Sequence, residues 1–272
     1  MTSTVEIGTT RTGVTELTRH WAAGDPWAAL LIVHGLGEHS GRYERTGSLL
    51  AEAGVDTFSF DLQGFGASGG RRAYLERWTT YHEQVLDNLA PVFNSGLPTV
   101  LMGHSLGGLI VATYTLSLHR RPDLVVLSSP ALEANIPPWQ RSLAPFVARV
   151  LPKLSIPNQI KGEQLSNDPA VGTDYFSDPL VFTKTTARFG AIVLEEMARI
   201  GRSLDAYDAR TLVFHGTEDT VVPPEASVAI GKLSNVDRTL YPGLQHETLN
   251  EPQGPDIVAS IVDWIRQQVG QA

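Results

Sequence analysis

Short apolar runs bounded by Gly, Pro or Asp recur along the chain at residues 29–33, 57–60, 99–102, 124–127, 211–214 and 238–241. Each is shorter than a typical helix and lies between turn formers, so each is predicted to be a buried parallel strand. Between them, at 43–53, 78–93, 106–118, 225–233 and 255–269, apolar residues fall at helical spacing. Regular exchange of strand and helix predicts an α/β architecture, a mostly parallel central sheet with helices on both faces.

That exchange lapses once, between residues 131 and 200, where seven prolines interrupt the expected spacing. The stretch predicts an inserted cap over 131–200, carried on a core formed by 1–130 and 201–272. Its seven Lys and Arg balance its seven Asp and Glu, so the net charge of -8 resides in the core. Within the cap, residues 143–162 (LAPFVARVLPKLSIPNQIKG) carry Arg149, Lys153 and Lys161 and no acid. An apolar stretch with a basic rim suits transient contact with a membrane or micelle, and docking of the cap onto the core is the other use open to it.

Composition narrows the function classes. At 272 residues and 42% hydrophobic, the chain is large enough for one sizeable core. The acidic balance offers no basic face to a phosphate backbone, so nucleic acid is not an expected partner. With no cysteine, thiolate metal sites, disulfides and a cysteine nucleophile are all excluded. Residues 1–8 do not read as a secretory signal, and the longest apolar run, 27–33, falls well short of the roughly 20 residues a membrane span requires. The expected location is cytoplasmic, at most peripheral to a membrane.

In open parallel sheets, ligands meet the carboxyl ends of the strands, so chemistry is expected where a strand runs into a turn. After the strand at 99–102 comes Gly103-His104-Ser105-Leu106-Gly107-Gly108, followed at once by an apolar helix. This is G-x-S-x-G in the strand–turn–helix setting that makes it a nucleophile elbow, with glycines where a sharp turn leaves no room for side chains. The same pattern occurs at Gly66-Ala67-Ser68-Gly69-Gly70, but no strand leads directly into it and no apolar helix follows. Ser105 is therefore the candidate nucleophile, and Ser68 reads as a loop residue.

A serine hydroxyl needs an imidazole to take its proton and a carboxylate to hold that imidazole. Partners of such an elbow follow in the order Ser, acid, His. Of the histidines after Ser105, His119 ends a helix and His215 finishes a strand, leaving His246 in the turn-rich loop past the last strand. Asp219, in the loop after the preceding strand, is the candidate acid, with neighbouring Glu218 expected to be solvated. Backbone N–H groups of Leu106 and of Leu36, in the loop after the first inner strand, are the candidate oxyanion donors. His34 and His104 flank the site. A histidine beside a glycine-rich turn is commonly a hydrogen-bonded brace, and contact with substrate is the other role for His104.

Six stretches then carry a resemblance over nearly the whole chain: HGLGEHSGRY (34–43), DLQGFGASGGRR (61–72), GHSLGG (103–108), SNDPAVGTDYFSDPLV (166–181), HGTEDTVVP (215–223) and YPGLQHETLNE (241–251). Together they resemble the monoacylglycerol lipase family, a branch of the α/β hydrolases close to lysophospholipases. The resemblance implies an α/β-hydrolase fold and hydrolysis of a small lipid ester, monoacylglycerol to fatty acid and glycerol, through an acyl-enzyme on Ser105 and without metal or cofactor. Lysophospholipase or broad carboxylesterase activity is the alternative, and a non-catalytic binder of hydrophobic ligands a remoter one. By the same resemblance Ser105, Asp219 and His246 match the family's triad, and Leu36 with Leu106 its oxyanion hole. Glu38 and Arg42 match polar residues near the glycerol end, where an ion pair that fixes the loop is the competing role. Phe65 departs from the histidine the family usually has there.

Overall fold

Strand alternation accounts for the uninterrupted apolar runs. In the computed structural model, which describes residues 2–134 and 136–270, neighbouring side chains of one strand enter different cores: Leu31, Val33 and Leu101 join one, and Leu30, Ile32, Val100 and Met102 the other. A strand buried on both faces has no polar side to show. Residue 1 and residues 271–272 of the expected core, and residue 135 of the expected cap, lie outside the described residues.

In chain order the elements are β1 (Thr4–Thr9), β2 (Thr15–Trp21), β3 (Ala28–Val33), α1 (Glu44–Glu52), β4 (Val55–Phe60), α2 (Thr79–Asn88), α3 (Ala90–Asn94), β5 (Thr99–His104), α4 (Leu106–Thr115) and β6 (Leu124–Ser128). They continue with α5 (Pro138–Val150), β7 (Ser155–Pro157), α6 (Pro169–Ser177), β8 (Lys184–Thr186), α7 (Ala187–Arg202), β9 (Thr211–Gly216), β10 (Val236–Tyr241) and α8 (Gly254–Val269). The eight-stranded sheet runs β1-β2-β4-β3-β5-β6-β9-β10, parallel from β4 onward, with β1 and β2 antiparallel. Residues of α2, α4 and α7 bury against one face, and those of α1 and α8 against the other. This is the α/β-hydrolase architecture that the sequence predicts.

Three elements differ from the sequence pattern. The β1–β2 hairpin lacks an apolar run, because β1 is exposed along its whole length and β2 only partly buried. The helix expected at 78–93 breaks between Asn88 and Ala90, with Pro91 in the first turn of α3, where its missing N–H is harmless. The helix expected at 225–233 is instead a pair of 3-10 turns, Pro224–Ser227 and Ile230–Lys232. Gly231 lies inside it, and a Cβ there would stand 2.4 Å from the Arg238 side chain.

Between β6 and β9 the chain leaves the sheet for α5, the small β7–β8 ribbon, α6 and α7. Among the described residues no helix is long and apolar enough to cross a membrane. Loops after β3, β5, β9 and β10 open at the carboxyl ends of parallel strands, where open sheets place their ligands.

Candidate active site

The turn from β5 into α4 holds Ser105 at φ 53° and ψ -116°, a region that L-residues rarely adopt. Such a conformation costs about 1–3 kcal/mol and persists only where its surroundings over-determine it. Here Ser105 N–H donates to Ser128 O at 2.9 Å, and Ser105 O accepts from Leu109 N–H at 3.2 Å and Ala131 N–H at 3.0 Å. The flanking glycines have a steric reason. A Cβ on Gly103 would lie 2.4 Å from Gly107 O, and one on Gly107 would lie 2.1 Å from Val33 O. The elbow is thus packed backbone to backbone against the end of β3.

Asp219 and His246 come from separate loops that meet just as tightly, since a Cβ on Gly216 would lie 2.2 Å from Leu244 O. Asp219 Oδ2 accepts from His246 Nδ1 at 2.7 Å, and Asp219 Oδ1 accepts from the N–H groups of Val221 and Val222, each at 2.9 Å. That arrangement puts the imidazole proton on Nδ1 and leaves Nε2 basic. Both residues are buried, whereas Glu218 is exposed. Burial disfavours the charge on His246, but the Asp219 carboxylate and its hydrogen bond outweigh that effect and raise the imidazole above its ordinary 6.5. Burial likewise opposes ionisation of Asp219, and His246 with the backbone donors overcomes it, lowering the carboxyl.

Ser105 and His246 line one cavity of about 640 Å³, together with Leu36, Leu106, Glu38 and His104. Among the described residues no hydrogen bond joins the Ser105 hydroxyl to the imidazole; such contacts often tighten only with substrate bound. Leu106 is the first residue of α4, where helix geometry leaves the N–H without an intrahelical partner. Leu36 lies in the loop after β3, and that loop is held by Glu38. Glu38 Oε1 accepts from Gly35 N–H at 2.6 Å and Tyr43 O–H at 2.7 Å, and Oε2 accepts from Arg42 Nη1 at 2.9 Å. Arg42 also donates through both terminal nitrogens to Glu247, at 2.6 and 2.8 Å. Burial would raise Glu38, yet Arg42 and the nearby histidines hold it well below the usual carboxylate range. Glu38 and Arg42 are therefore placed in a loop-fixing ion pair, with Glu38 also at the cavity wall.

Both flanking histidines make hydrogen bonds within the fold, and His104 also lines the cavity. His34 Nε2 accepts from Leu62 N–H at 2.9 Å, and its Nδ1 donates to Gly35 O at 2.8 Å. His104 pairs Nδ1 with the Ser128 hydroxyl at 3.1 Å, and its ring lies 4.7 Å from that of His246. Burial, reinforced by the neighbouring His246, lowers His104 to about 4 despite Glu38 nearby. Ser68 is remote from this chemistry: its hydroxyl is buried and accepts from Leu17 N–H at 3.1 Å. Phe65, fully buried, packs edge-on between His34 and Phe189, and Phe189 lines the cavity.

Several neighbours escape sequence reasoning. Ser129, at φ 42°, donates from its hydroxyl to His246 O at 2.9 Å, and Gln164 O accepts from His246 N–H at 3.2 Å. Tyr175 lines the cavity and carries the Arg42 guanidinium 4.8 Å above its ring. No spacing rule marks these residues, because each is brought in by a different segment: Ser129 follows β6, Gln164 lies between β7 and α6, and Tyr175 is in α6.

The sequence matches the family model described as serine aminopeptidase, S33, over residues 24–253. It is 30% identical over 252 residues to a monoacylglycerol lipase of Mycolicibacterium smegmatis, covering 89% of each chain. It is also 30% identical over 267 residues to the human monoglyceride lipase, covering 93% of this chain and 86% of that one. Among solved structures, the monoacylglycerol lipase of Paleococcus ferrophilus superposes with a TM-score of 0.81 at 31% identity, over 93% of this chain and 98% of that one.

Proposed function

We propose, since this chain belongs to the serine aminopeptidase S33 family as a monoacylglycerol lipase-like α/β hydrolase, that it cleaves monoacylglycerol to a fatty acid and glycerol. The observation that carries this reading is the buried 2.7 Å pair between Asp219 and His246, whose imidazole lines the same cavity as Ser105. In the proposed mechanism Ser105 attacks the ester carbonyl as His246 Nε2 takes its proton, and the N–H groups of Leu36 and Leu106 receive the negative oxygen. The imidazolium passes its proton to the departing glycerol oxygen. Water then repeats the sequence on the acyl-enzyme and releases the fatty acid.

An ester rather than a peptide substrate is favoured by the acids around the cavity. An aminopeptidase needs a carboxylate free to bind an α-ammonium group. Glu38 and Glu247 are both engaged by Arg42, and the remaining acid at the wall, Glu133, is exposed. Another part of the lining suits an acyl chain, since Phe189, Val193 and Met197 present one apolar face of α7.

Residues 131–200 are the proposed cap. Its exposed Trp139, Leu143, Phe146, Val150 and Leu154, with Arg149 and Lys153 among them, support transient docking on a lipid surface. A substrate panel tests the central reading. Medium- or long-chain monoacylglycerols should be turned over faster than triolein and faster than lysophosphatidylcholine. Equal rates on monoacylglycerol and triolein would refute a site built for a single acyl chain.

A further inference from the structure

Glu251 is a buried carboxylate that the proposed chemistry does not use. It is fully buried, and both of its oxygens are saturated by donors. Oε1 accepts from Gln245 N–H at 2.8 Å and Asn167 Nδ2 at 3.1 Å; Oε2 accepts from the Ser166 hydroxyl at 2.9 Å and Asn167 N–H at 2.9 Å. Among the described residues none of these partners is a cation. Gln245 immediately precedes His246, whereas Ser166 and Asn167 belong to the segment between β7 and α6, within residues 131–200.

The same two stretches are joined by backbone bonds on either side of the carboxylate. His246 N–H donates to Gln164 O at 3.2 Å and Glu247 N–H to Leu165 O at 2.7 Å. Asn167 Nδ2 also donates to Gly243 O at 2.8 Å. Asp219 holds the imidazole ring, but a ring can be no better placed than the backbone that carries it. That backbone lies in a glycine- and proline-containing loop, and residues 164–167 meet it both directly, through the two backbone bonds, and through Glu251.

We infer that Glu251 is a positioning residue for His246, clamping the histidine loop to residues 164–167 so that this part of the inserted segment belongs to the catalytic apparatus. The inference rests on His246 being the general base. Glu251 does not line the cavity, so its effect falls on turnover and not on substrate binding.

Glu251→Gln tests it in the full chain. A glutamine presents N–H₂ to one of the two donor pairs; the Ser166 hydroxyl can turn to accept, so at least one of the four bonds becomes a donor-to-donor contact. On a soluble p-nitrophenyl ester, kcat per titrated site should fall about 10- to 100-fold with KM within about twofold, as for a displacement of order 1 Å at a catalytic group. Fluorophosphonate labelling of Ser105 should slow by the same factor. Asn167→Ala, on an exposed residue, removes one donor from the far end of the clamp and guards against misfolding of the first variant. It should lower kcat about two- to fivefold, and adding it to Glu251→Gln should produce less than the product of the two losses. A lowered Tm with unchanged kcat and labelling in both variants would overturn the inference, leaving Glu251 a fold-stabilising residue only. His246→Ala serves as the control. If it still labels at the parent rate, the general-base premise fails; if it is inert while Glu251→Gln is unaffected, only the positioning role fails.

Discussion

Replacing Asp219 by asparagine separates the orientation of the histidine from its mere presence. Asp219 Oδ1 accepts two backbone N–H groups at 2.9 Å, and Oδ2 accepts His246 Nδ1 at 2.7 Å. An asparagine keeps the first pair only by turning its N–H₂ toward the imidazole. It then donates into Nδ1, the ring proton moves to Nε2, and the lone pair needed to accept the Ser105 proton is lost. The opposite amide rotamer restores that lone pair but leaves the N–H groups of Val221 and Val222 facing an N–H₂. Each buried unpaired donor costs about 1–3 kcal/mol, so the competent rotamer lies about 2–6 kcal/mol above the other. At about 1.4 kcal/mol per tenfold, between roughly one molecule in thirty and one in twenty thousand remains competent, and kcat should fall by that factor. The assay is steady-state hydrolysis of a soluble p-nitrophenyl ester above the His246 titration, with circular dichroism melting to establish that the variant is folded. A folded Asp219→Asn enzyme that keeps more than about a tenth of the parent kcat lies outside this range and would refute the hydrogen-bond argument.

Three further outcomes are expected. Ser105→Ala should abolish fluorophosphonate labelling and lower kcat by about six orders of magnitude, and a variant still labelled at the parent rate would exclude Ser105 as nucleophile. With His246 in its proposed role of neutral base, raised by Asp219, kcat/KM should increase with pH through an apparent pKa above 6.5; a flat profile across that range for a rate-limiting chemical step contradicts the assignment. His104, lowered to about 4, should contribute no limb there. Phe146→Asp on the exposed face of α5 should weaken sedimentation with anionic phospholipid vesicles while leaving hydrolysis of a soluble ester unchanged, and unchanged sedimentation would remove α5 from the docking surface.

Local rules carried the reading far where one segment contains its own signal. Each inner strand is buried on both faces and must be apolar throughout, so β3, β5, β6 and β9 stand out as runs. The elbow glycines stand out because any Cβ there would strike backbone, and the same constraint is written into the chain at 103 and 107. Loop position and the shorter side chain favour Asp219 over Glu218 in the sequence; in the structure Asp219 is buried against His246 and Glu218 is exposed. The β1–β2 hairpin lay beyond such rules, because an exposed edge has no hydrophobic pattern to reveal.

Tertiary structure decided what depends on several loops meeting. An ordinary imidazole base gives a limb at roughly pH 6 to 7; burial would lower His246, and Asp219 at 2.7 Å, with Glu247 and Glu38 adding to it, raises it instead. The pairing of Arg42 with Glu247, 205 residues away, and the grip of Glu251 on Ser166 and Asn167 join segments with no common period or spacing. Hydrophobic periodicity records which face of an element is buried. It does not record which polar side chains from distant loops complete one another's hydrogen bonds, because that depends on how the chain closes in space.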